Sequence, residues 1–419
     1  MEKQRTFFVI DMKTFFASVE CAERNLDPFK TSLVVADESR GKNALCLAIS
    51  PKMKALGIRN RCRLSEIPSS VKYIIAKPRM QKYIDYAAEI YGIYLKYIDK
   101  NDIHVYSIDE SFIDATDYLK IYNLTAKEFA KKLMKEIWDT LHIPCSTGVG
   151  TNMFLAKIAL DITAKHSSDF IGYLDEDKFK KELWNHTPIT DFWQISTGTE
   201  NTLKKHGINT LYDIAHTDEA VLYKLFGINA ELLIDHANGK ESCLISDIKK
   251  YKRKTKSISS SQILPKNYNY DDALIVLKEM LQSGCYELYK QHYVTNLIHI
   301  DIGYGDYKTS AKASRKLNFT TNLYYLIVEQ AERLFEEIVD KNKPIRKIGF
   351  TYGNLADTSH EQYDMFTDLE KVKKEKRLVE SVLQIKNKYG KSALLKAIDF
   401  EENATQRERN KLIGGHNSE

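Results

Sequence analysis

The chain has 419 residues, of which 43% are hydrophobic and 28% are charged, and its 62 basic and 57 acidic side chains leave a formal net charge of +5. This composition is typical of a globular protein with about two to four domains and excludes a disordered chain, and no run reaches the roughly 20 apolar residues of a membrane span. The six cysteines are scattered without a Cys-x-x-Cys pair, so we expect a reducing, cytoplasmic setting rather than a disulfide framework or a zinc site.

The first predicted strand, Phe7–Ile10, is apolar and ends at Asp11. A helix is expected over Thr14–Glu23, and two further short strands over Leu33–Ala36 and Ala44–Ser50. Because a buried strand ends in a carboxylate here, Asp11 is a candidate ligand for a cation.

A second acidic site follows a predicted helix over Tyr83–Ile98, in the segment His104–Asp114. Apolar and β-branched residues flank a turn that carries Asp109 and Glu110, which predicts two short strands joined by that turn. Adjacent carboxylates raise each other's pKa, and a bound cation would relieve their repulsion. If this hairpin lies beside Asp11, three carboxylates converge, and such oxygen ligands suit magnesium. A solvated turn without function is the more frequent role of an isolated Asp-Glu pair.

The elements after the hairpin indicate two α+β units separated by short helices. Thr125 and Glu128 form a predicted capping box for an amphipathic helix, which a strand at Cys145–Gly150 and a helix at Asn152–Lys165 follow. A second unit with the order βαββαβ begins near residue 257. Its predicted strands lie at 257–264, 296–303, 308–317 and 345–352, and its predicted helices at 271–289 and 322–340.

Two stretches carry a resemblance to a known family. Ser107-Ile-Asp-Glu-Ser-Phe-Ile-Asp114, preceded by Val9-Ile-Asp-Met-Lys-Thr-Phe-Phe-Ala-Ser-Val-Glu20, resembles the signature of the bacterial Y-family, DinB/UmuC-type translesion DNA polymerases. The likeness is closer to the UmuC-like branch and extends to about Gly353. It implies an α+β multidomain right-hand polymerase with a ferredoxin-like palm, small fingers, a helical thumb with a helix-hairpin-helix, and a βαββαβ little-finger domain.

The resemblance also implies the domain boundaries. They are palm 1–11 and 78–170, fingers 12–77, thumb 171–243, basic linker 244–256, little finger 257–353, and a tail 354–419 with a clamp-binding motif.

The resemblance assigns the active site. Asp11, Asp109 and Glu110 are expected to be catalytic and to bind two Mg²⁺ ions for nucleotidyl transfer. Phe16 is expected to be the steric gate, the aromatic side chain that excludes a 2′-hydroxyl. The expected contacts of the incoming triphosphate are Lys54, Lys157 and Phe15. Pro51 departs from the family, because many members have a phosphate-binding tyrosine there, so the triphosphate ligands are less defined than the metal ligands.

Three regions are candidates for DNA contacts. Ile195–Leu203 resembles part of a helix-hairpin-helix, whose backbone N–H groups bind a phosphate. The run at 249–256 is the strongest basic segment, which is usually a solvated linker but here lies between two DNA-binding domains. Basic residues also follow one strand pair of the second unit. The candidate contacts are Gly198, Lys204, Lys252, Arg253, Lys254, Lys308, Lys312, Arg315 and Lys316.

The tail contains Gln362-Tyr-Asp-Met-Phe366, which resembles the Gln-x-x-Leu-Phe motif that binds the sliding clamp. Gln362, Met365 and Phe366 are the predicted clamp contacts. A helix over Leu369–Lys388 has no readable role. The expected partners are primer-template DNA, an incoming dNTP, the sliding clamp and accessory or regulatory proteins, and no membrane contact is expected. We also expect association with the nucleoid during replication.

We therefore predict a template-directed DNA polymerase that inserts deoxynucleotides opposite damaged bases. The resemblance implies low fidelity and low processivity. The short fingers segment agrees with low fidelity, because it provides little closure to check the base pair. Two alternatives are a nucleotidyl cyclase-like enzyme with the same paired carboxylates, and a non-catalytic, clamp-bound DNA-binding scaffold. The DNA-binding regions argue against the cyclase, and the intact acidic residues with Phe16 argue against the scaffold.

Overall fold

The computed structural model describes residues 5–252 and 256–419, so the predicted contacts at Arg253 and Lys254 lie outside the described residues. The chain divides into two compact units, one formed by Met1–Tyr251 with Asn417–Glu419 and the other by Lys252–His416. No helix in the described ranges is both long and apolar enough to span a membrane.

The first unit combines short strands with helices of 5 to 16 residues. Its strands are β1 (Phe7–Met12), β2 (Leu33–Val35), β3 (Ala48–Ile49), β4 (Ile74–Ala76), β5 (Ile103–Val105), β6 (Glu110–Asp114), β7 (Cys145–Gly150) and β8 (Ile171–Leu174). Its α-helices are α1 (Phe15–Ala22), α2 (Pro51–Ala55), α3 (Met80–Leu95), α4 (Thr116–Tyr122), α5 (Ala126–Leu141), α6 (Met153–Ile158), α7 (Glu176–Leu183), α8 (Thr197–Lys204), α9 (Leu211–His216), α10 (Glu219–Phe226), α11 (Asn229–Ala237) and α12 (Ile245–Lys250).

Five strands form a sheet in the order β5-β6-β1-β7-β8. The central strand β1 is antiparallel to both neighbours and buried on both faces. Phe8 and Ile10 belong to the core on the side of α5, whereas Phe7 and Val9 pack in the cluster that contains Met153 of α6. The apolar run at the N-terminus is therefore the middle of a sheet covered by helices, as the pattern predicted.

The helix α5 begins and packs as the sequence predicts. The Thr125 hydroxyl accepts a hydrogen bond from the Glu128 N–H (3.2 Å), and the Glu128 carboxylate accepts one from the Thr125 N–H (2.8 Å). This reciprocal pair is a capping box. Phe129, Leu133 and Ile137, spaced four residues apart, are fully buried against the sheet.

Two glycines allow α6 to lie directly on β7. A Cβ at Gly148 would come within 2.0 Å of the Ala156 carbonyl oxygen, and one at Gly150 within 2.2 Å of the Ala156 nitrogen. Only glycine fits such an approach of backbone to backbone. Lys157 lies in α6, and the helical path continues beyond it through a π-helical turn at Ala159–Thr163.

A smaller sheet, β3-β2-β4, lies within the predicted fingers segment. Its core is separate and includes Val34, Ile49 and Met53. The strand predicted over Ala44–Ser50 is wrong in length, since only β3 is formed. The preceding residues instead pair locally, with the Cys46 N–H donating to the Cys62 carbonyl at 2.8 Å.

The second unit has the predicted βαββαβ order. Its strands are β9 (Ile258–Tyr268), β10 (Tyr293–Tyr304), β11 (Ser310–Thr321), β12 (Ile345–Gly353), β13 (Ala356–Asp357), β14 (Leu412–Ile413) and β15 (His416–Asn417), the last crossing the unit boundary. Its α-helices are α13 (Tyr270–Lys290), α14 (Tyr324–Ile338), α15 (Leu369–Tyr389) and α16 (Gln406–Arg409). The sheet order β11-β10-β12-β9 is antiparallel throughout, and the first two helices share one core on its inner face.

Candidate active site

The pairing of β1 with β6 brings the predicted carboxylates together. Asp11 is directly opposite Glu110 in the antiparallel register, and the Met12 N–H donates to the Asp109 carbonyl at 2.9 Å. The three acidic residues therefore lie at one end of two neighbouring strands, although about 100 residues separate them in sequence.

Each of the hairpin carboxylates faces a different polar partner. The Asp109 carboxylate accepts a hydrogen bond from the Ser107 hydroxyl at 2.6 Å. Glu110 is buried, and its Oε1 lies 2.8 Å from the Lys157 ammonium without aligned hydrogen-bond geometry. Lys157 also lies 3.2 Å from Asp161 on the next helical turn. Lys157 is therefore directed towards carboxylates in this structure, whereas its predicted contact with the triphosphate stays a prediction.

Burial and mutual repulsion oppose the ionisation of these acids. Burial, followed by the charges of Asp109 and Glu110, raises the pKa of Asp11 to about 7. Burial also raises the pKa of Glu110, although the charge of Lys157 partly offsets the effect. Carboxylates held in this way are stabilised by a nearby cation.

The donor chemistry fits a divalent cation, but the side chains are not gathered around one point. In residues 5–252 and 256–419, no group of three His, Cys, Asp or Glu side chains is arranged to hold a metal ion. Glu110 Oε1 is buried and accepts no hydrogen bond within the described chain, and Asp11 lies opposite it.

A basic cluster lies near Asp11. It contains Lys13, Lys54 and Lys165, since Lys13 and Lys54 both interact electrostatically with Asp11 and with Lys165. Burial is the main cause that lowers the pKa of Lys13 and of Lys54. The Lys13 ammonium also lies 4.0 Å from the centre of the Phe170 ring. Cations placed together beside a carboxylate site are suited to a polyphosphate.

Sequence reasoning missed Lys13 and Lys165 in this cluster. Lys13 follows Asp11 by two residues, within the signature, and Lys165 lies two helical turns beyond Lys157. The signal that could have found Lys165 was a second lysine on the same predicted helix. The π-helical turn lies between Lys157 and Lys165 and changes which helix face Lys165 occupies. The spacing of the two lysines in the sequence therefore could not predict that they have different neighbours.

Phe16 lies on a buried aromatic support. Its ring stacks on Tyr83 of α3, with the ring centres 4.6 Å apart and the planes at 19°. The neighbouring Phe15 is only 2% exposed and belongs to the core, so any contact of Phe15 with a nucleotide would have to involve its backbone.

A fully buried carboxylate fixes that support. Glu20 accepts hydrogen bonds from the Tyr83 hydroxyl at 2.8 Å and from two nitrogens of Arg79, at 3.0 and 2.9 Å, and it also contacts Arg24. Two guanidinium groups compensate the buried charge. The tyrosine ring is thus held at both ends, by Phe16 and by Glu20.

The predicted DNA contacts in the helical region, Gly198 and Lys204, lie in the first turn and at the end of α8. The Ser196 hydroxyl accepts from the Thr199 N–H at 3.2 Å, so the predicted turn is the N-cap and first turn of this helix. Gly198 is in that first turn, and Lys204 at its end forms an ion pair with Glu200 at 2.8 Å. Lys252, the last residue before the undescribed segment, is exposed.

The basic residues of β11 divide between two faces of the sheet. Lys312 and Lys316 are on the face that carries no helix, with the loop residue Lys308 exposed before them. Arg315 alternates to the other face, where it binds Glu337 of α14 at 2.5 Å and the Gln330 carbonyl at 3.3 Å. The structure therefore does not place Arg315 with the other three.

The open face also carries Lys347, which sequence reasoning missed. Lys347 donates to Asp301 at 2.7 Å, and Lys312 lies 3.5 Å from the same carboxylate. Two lysines around one aspartate leave this part of the sheet positively charged.

The predicted clamp motif is anchored by its backbone and exposed at its end. Gln362 exchanges two backbone hydrogen bonds with Thr320 of β11, at 2.8 and 3.0 Å. Met365 and Phe366 are each 88% exposed. An isolated pair of apolar side chains exposed to this extent is available to a partner.

Comparison with known proteins decides the family. The family model described as the impB/mucB/samB family matches residues 10–161, and the model of its C-terminal domain matches residues 255–365. The chain is 30% identical to DNA polymerase IV 2 of Bacillus subtilis (strain 168), over 99% of this chain and 100% of that protein. It is 29% identical to the putative UV-damage repair protein UvrX of the same organism, over 99% and 98% of the two chains.

The chain belongs to the Y-family of DNA polymerases. This Y-family protein is a DNA-directed DNA polymerase, which confirms the family and enzyme class that the signature stretches predicted.

Solved structures confirm the fold of this Y-family polymerase. A Y-family DNA polymerase chimera of Dbh and Dpo4 matches with a TM-score of 0.65 at 23% identity, over 84% of this chain and 99% of that one. An insertion ternary complex of Dbh DNA polymerase matches with a TM-score of 0.53 over the same shares. The α+β architecture with palm and little-finger domains is therefore correct, while the predicted domain boundaries stay predictions.

Proposed function

We propose that this polymerase inserts deoxynucleotides opposite damaged template bases, with low fidelity, at the site formed by Asp11, Asp109 and Glu110. The observation that carries the proposal is that strand register places three carboxylates at one sheet edge, with a basic cluster near Asp11. The stacked Phe16 follows in the next helix of the chain. The UV-damage repair named for the relative UvrX supports a damaged template.

The carboxylates are proposed to hold two Mg²⁺ ions. When bound, such ions neutralise phosphoryl oxygens and lower the pKa of a primer 3′-hydroxyl. Lys54 and Lys165 bind the triphosphate of the incoming nucleotide through charge-assisted hydrogen bonds, while Lys157 keeps Glu110 oriented in its ionised form. Burial alone would lower the pKa of Lys157, but Asp161 and Glu110 raise it, so Lys157 stays protonated.

Phe16 is proposed to select the sugar. Its ring is half-buried and backed by Tyr83, so it cannot retreat from a 2′-hydroxyl above it. A steric clash of this kind acts against ribonucleotides and leaves deoxynucleotides unaffected.

The test of the proposal is primer extension on matched undamaged and ultraviolet-damaged templates with magnesium. Wild type is expected to pass the lesion, and Asp109→Ala is expected to lose at least about 10³-fold in rate on both templates. Asp139→Ala, which removes an exposed carboxylate on α5, is the matched control and should extend like wild type. Activity on undamaged DNA with a complete stop at the lesion would refute translesion synthesis while leaving the polymerase assignment intact.

We further propose that the exposed end of the Gln362–Phe366 segment binds the sliding clamp. The two backbone hydrogen bonds to Thr320 fix where the segment leaves the sheet, which lowers the entropy lost on binding. A double variant, Met365→Ala with Phe366→Ala, should lose stimulation by the clamp and keep its extension rate without the clamp. Tyr389→Ala, at another exposed aromatic residue of the second unit, should keep both.

A further inference from the structure

The chain beyond the matched C-terminal domain encloses a cavity on the second unit. The family match ends at residue 365, and the following segment folds into α15, a 3₁₀ turn at Ala397–Phe400 and α16, which contacts α13. A cavity of about 470 Å³ lies between α13 and this segment, and all of its lining residues belong to the second unit.

Cations outnumber carboxylates around this cavity. Its lining contains five basic side chains, Lys290, Lys386, Lys391, Lys396 and Arg409, and three acidic ones, Glu279, Glu287 and Asp399. They come from α13, α15, the loop after α15 and α16, so the positive charge results from folding and not from one basic run.

The carboxylates are engaged by the protein itself. Glu279 is 2% exposed and accepts hydrogen bonds from the backbone N–H groups of Thr405 (2.9 Å) and Gln406 (3.2 Å). Asp399 accepts one from the backbone N–H of Lys396 at 2.8 Å. Glu279 of α13 therefore holds the first turn of α16, whereas Asp399 caps the preceding 3₁₀ turn. Within the described residues, neither acid makes a close ion pair with a basic side chain of the lining.

The basic side chains, by contrast, are held by neutral oxygens. Lys386 donates to the Lys391 carbonyl at 2.8 Å, and Arg409 donates to the Gln406 side-chain oxygen at 3.1 Å. Lys396 contacts the Gln282 side-chain oxygen. Within residues 5–252 and 256–419, none of the five cations forms an ion pair.

The cations are thus oriented without a close ion pair, and the charges of Asp399 and Glu279 compensate them only in part. Burial is the main cause that lowers the pKa of Lys386, Lys396 and Arg409. Partly desolvated cations that outnumber the acids around them are stabilised by an anion that binds among them.

We propose that this cavity binds a small molecule that carries two or more phosphates. Its volume suits a ligand of nucleotide size, and a guanidinium with several ammonium groups recognises phosphate oxygens. Tyr286 lines the same cavity and offers an apolar ring beside the cations. The concave site lies between helices and is distinct from the active site, since every lining residue is in the second unit.

The test measures binding of inorganic tripolyphosphate to the full chain by calorimetry. Because Lys54 and Lys165 form a candidate phosphate site in the first unit, every protein also carries Lys54→Gln and Lys165→Gln. One molecule is expected to bind, and Lys386→Gln with Lys396→Gln should weaken binding at least about tenfold. Lys371→Gln with Lys388→Gln is the matched control on the same helix, outside the cavity, and should bind as before.

A second variant keeps the test decisive if the double variant unfolds. Arg409→Lys preserves the positive charge but loses the planar guanidinium group, which donates two hydrogen bonds at once. This variant should weaken binding by a smaller factor than the double variant, and its unfolding temperature should be unchanged. Absence of binding, or equal binding by the cavity and control variants, would overturn the proposal. It would also be overturned if the cavity variant lost affinity for a single-stranded oligonucleotide by the same factor, because the cavity would then be part of a nucleic-acid surface.

Discussion

Phe16 owes its position to the buried residues that support its ring. Its ring rests on Tyr83, and the Tyr83 hydroxyl is bound to the buried, doubly paired Glu20. Breaking a buried charged network is strongly unfavourable, so the support is rigid. Tyr83 is therefore a positioning residue for sugar selection, in the proposed function, rather than a catalytic one.

Removing this support should relax sugar selection. Tyr83→Ala leaves space behind Phe16, and the ratio of ribonucleotide to deoxynucleotide insertion is expected to rise about tenfold, which corresponds to about 1.4 kcal/mol. Single-nucleotide insertion kinetics measure that ratio. Tyr86→Ala, on the same helix and bound to Glu23, is the control that should leave the ratio unchanged. An unchanged ratio in Tyr83→Ala would show that Phe16 does not depend on this stack.

Asp11 makes the protein sensitive to pH when no cation is bound. Its pKa is raised from 3.8 to about 7, so folding favours its neutral form. The unfolded chain ionises first, and the folded state therefore loses stability as the pH rises from about 4 through about 7. Above about pH 7, Asp11 is ionised in both states, and the free energy of unfolding has lost the full contribution of its neutral form.

In the absence of a bound cation, Asp11→Asn should therefore stabilise the protein more at pH 8.5 than at pH 5. We expect a gain of about 1 to 3 kcal/mol in the free energy of unfolding at the higher pH, after allowance for solvent. Denaturant unfolding in a chelator measures it, and Asp139→Asn is the exposed control. A gain that is equal at both pH values, or a loss that grows with pH, would contradict this account of Asp11.

At the scale of elements, the close packing of α6 on β7 positions Lys157 beside Glu110. Gly148→Ala would force a methyl group against the Ala156 carbonyl and should destabilise the first unit by about 3 kcal/mol or more. Gly92→Ala is the matched control, because nothing lies within 4 Å of its new methyl group in the middle of α3. That variant should be more stable by about 0.5 to 1 kcal/mol. Equal unfolding midpoints for the two variants would refute the close approach.

The open face of the second sheet should bind DNA through charge alone. Lys312→Gln with Lys316→Gln removes two cations from that face, so the slope of log affinity against log salt should fall by about 2. Arg315→Gln lies on the helix side and should leave the slope unchanged. Binding titrations with duplex DNA at several salt concentrations measure the slopes. An equal change in all variants would place Arg315 at the DNA.

Regular elements could be predicted from sequence because their periodicities are local. The two strands of the His104–Asp114 hairpin, the capping box of α5 and the βαββαβ order all agree with the structure. What the sequence left open depends on register and on neighbours distant in the chain. Arg315 lies on the helix face because of strand alternation, and Lys157 faces Glu110 because two glycines admit α6 to the sheet.

At the scale of the whole molecule, the family and the fold are defined by residues 10–161 and 255–365. The chain between these two regions forms the short helices α7–α12. The chain after them forms α15 and α16 and, together with α13, lines the cavity. UvrX and DNA polymerase IV 2 match 99% of this chain, whereas the solved structures match 84%. The segment after residue 365 therefore falls within the part of the chain that both relatives match.

We propose that Asp11, Asp109 and Glu110 form one nucleotidyl-transfer site with Phe16 as its steric gate. The most direct measurement is single-nucleotide primer extension with magnesium, comparing wild type, Glu110→Gln and Phe16→Ala. Glu110→Gln should lose at least about 10³-fold in rate while binding primer-template normally, and Phe16→Ala should gain ribonucleotide insertion. Extension by Glu110→Gln at the wild-type rate would contradict the account.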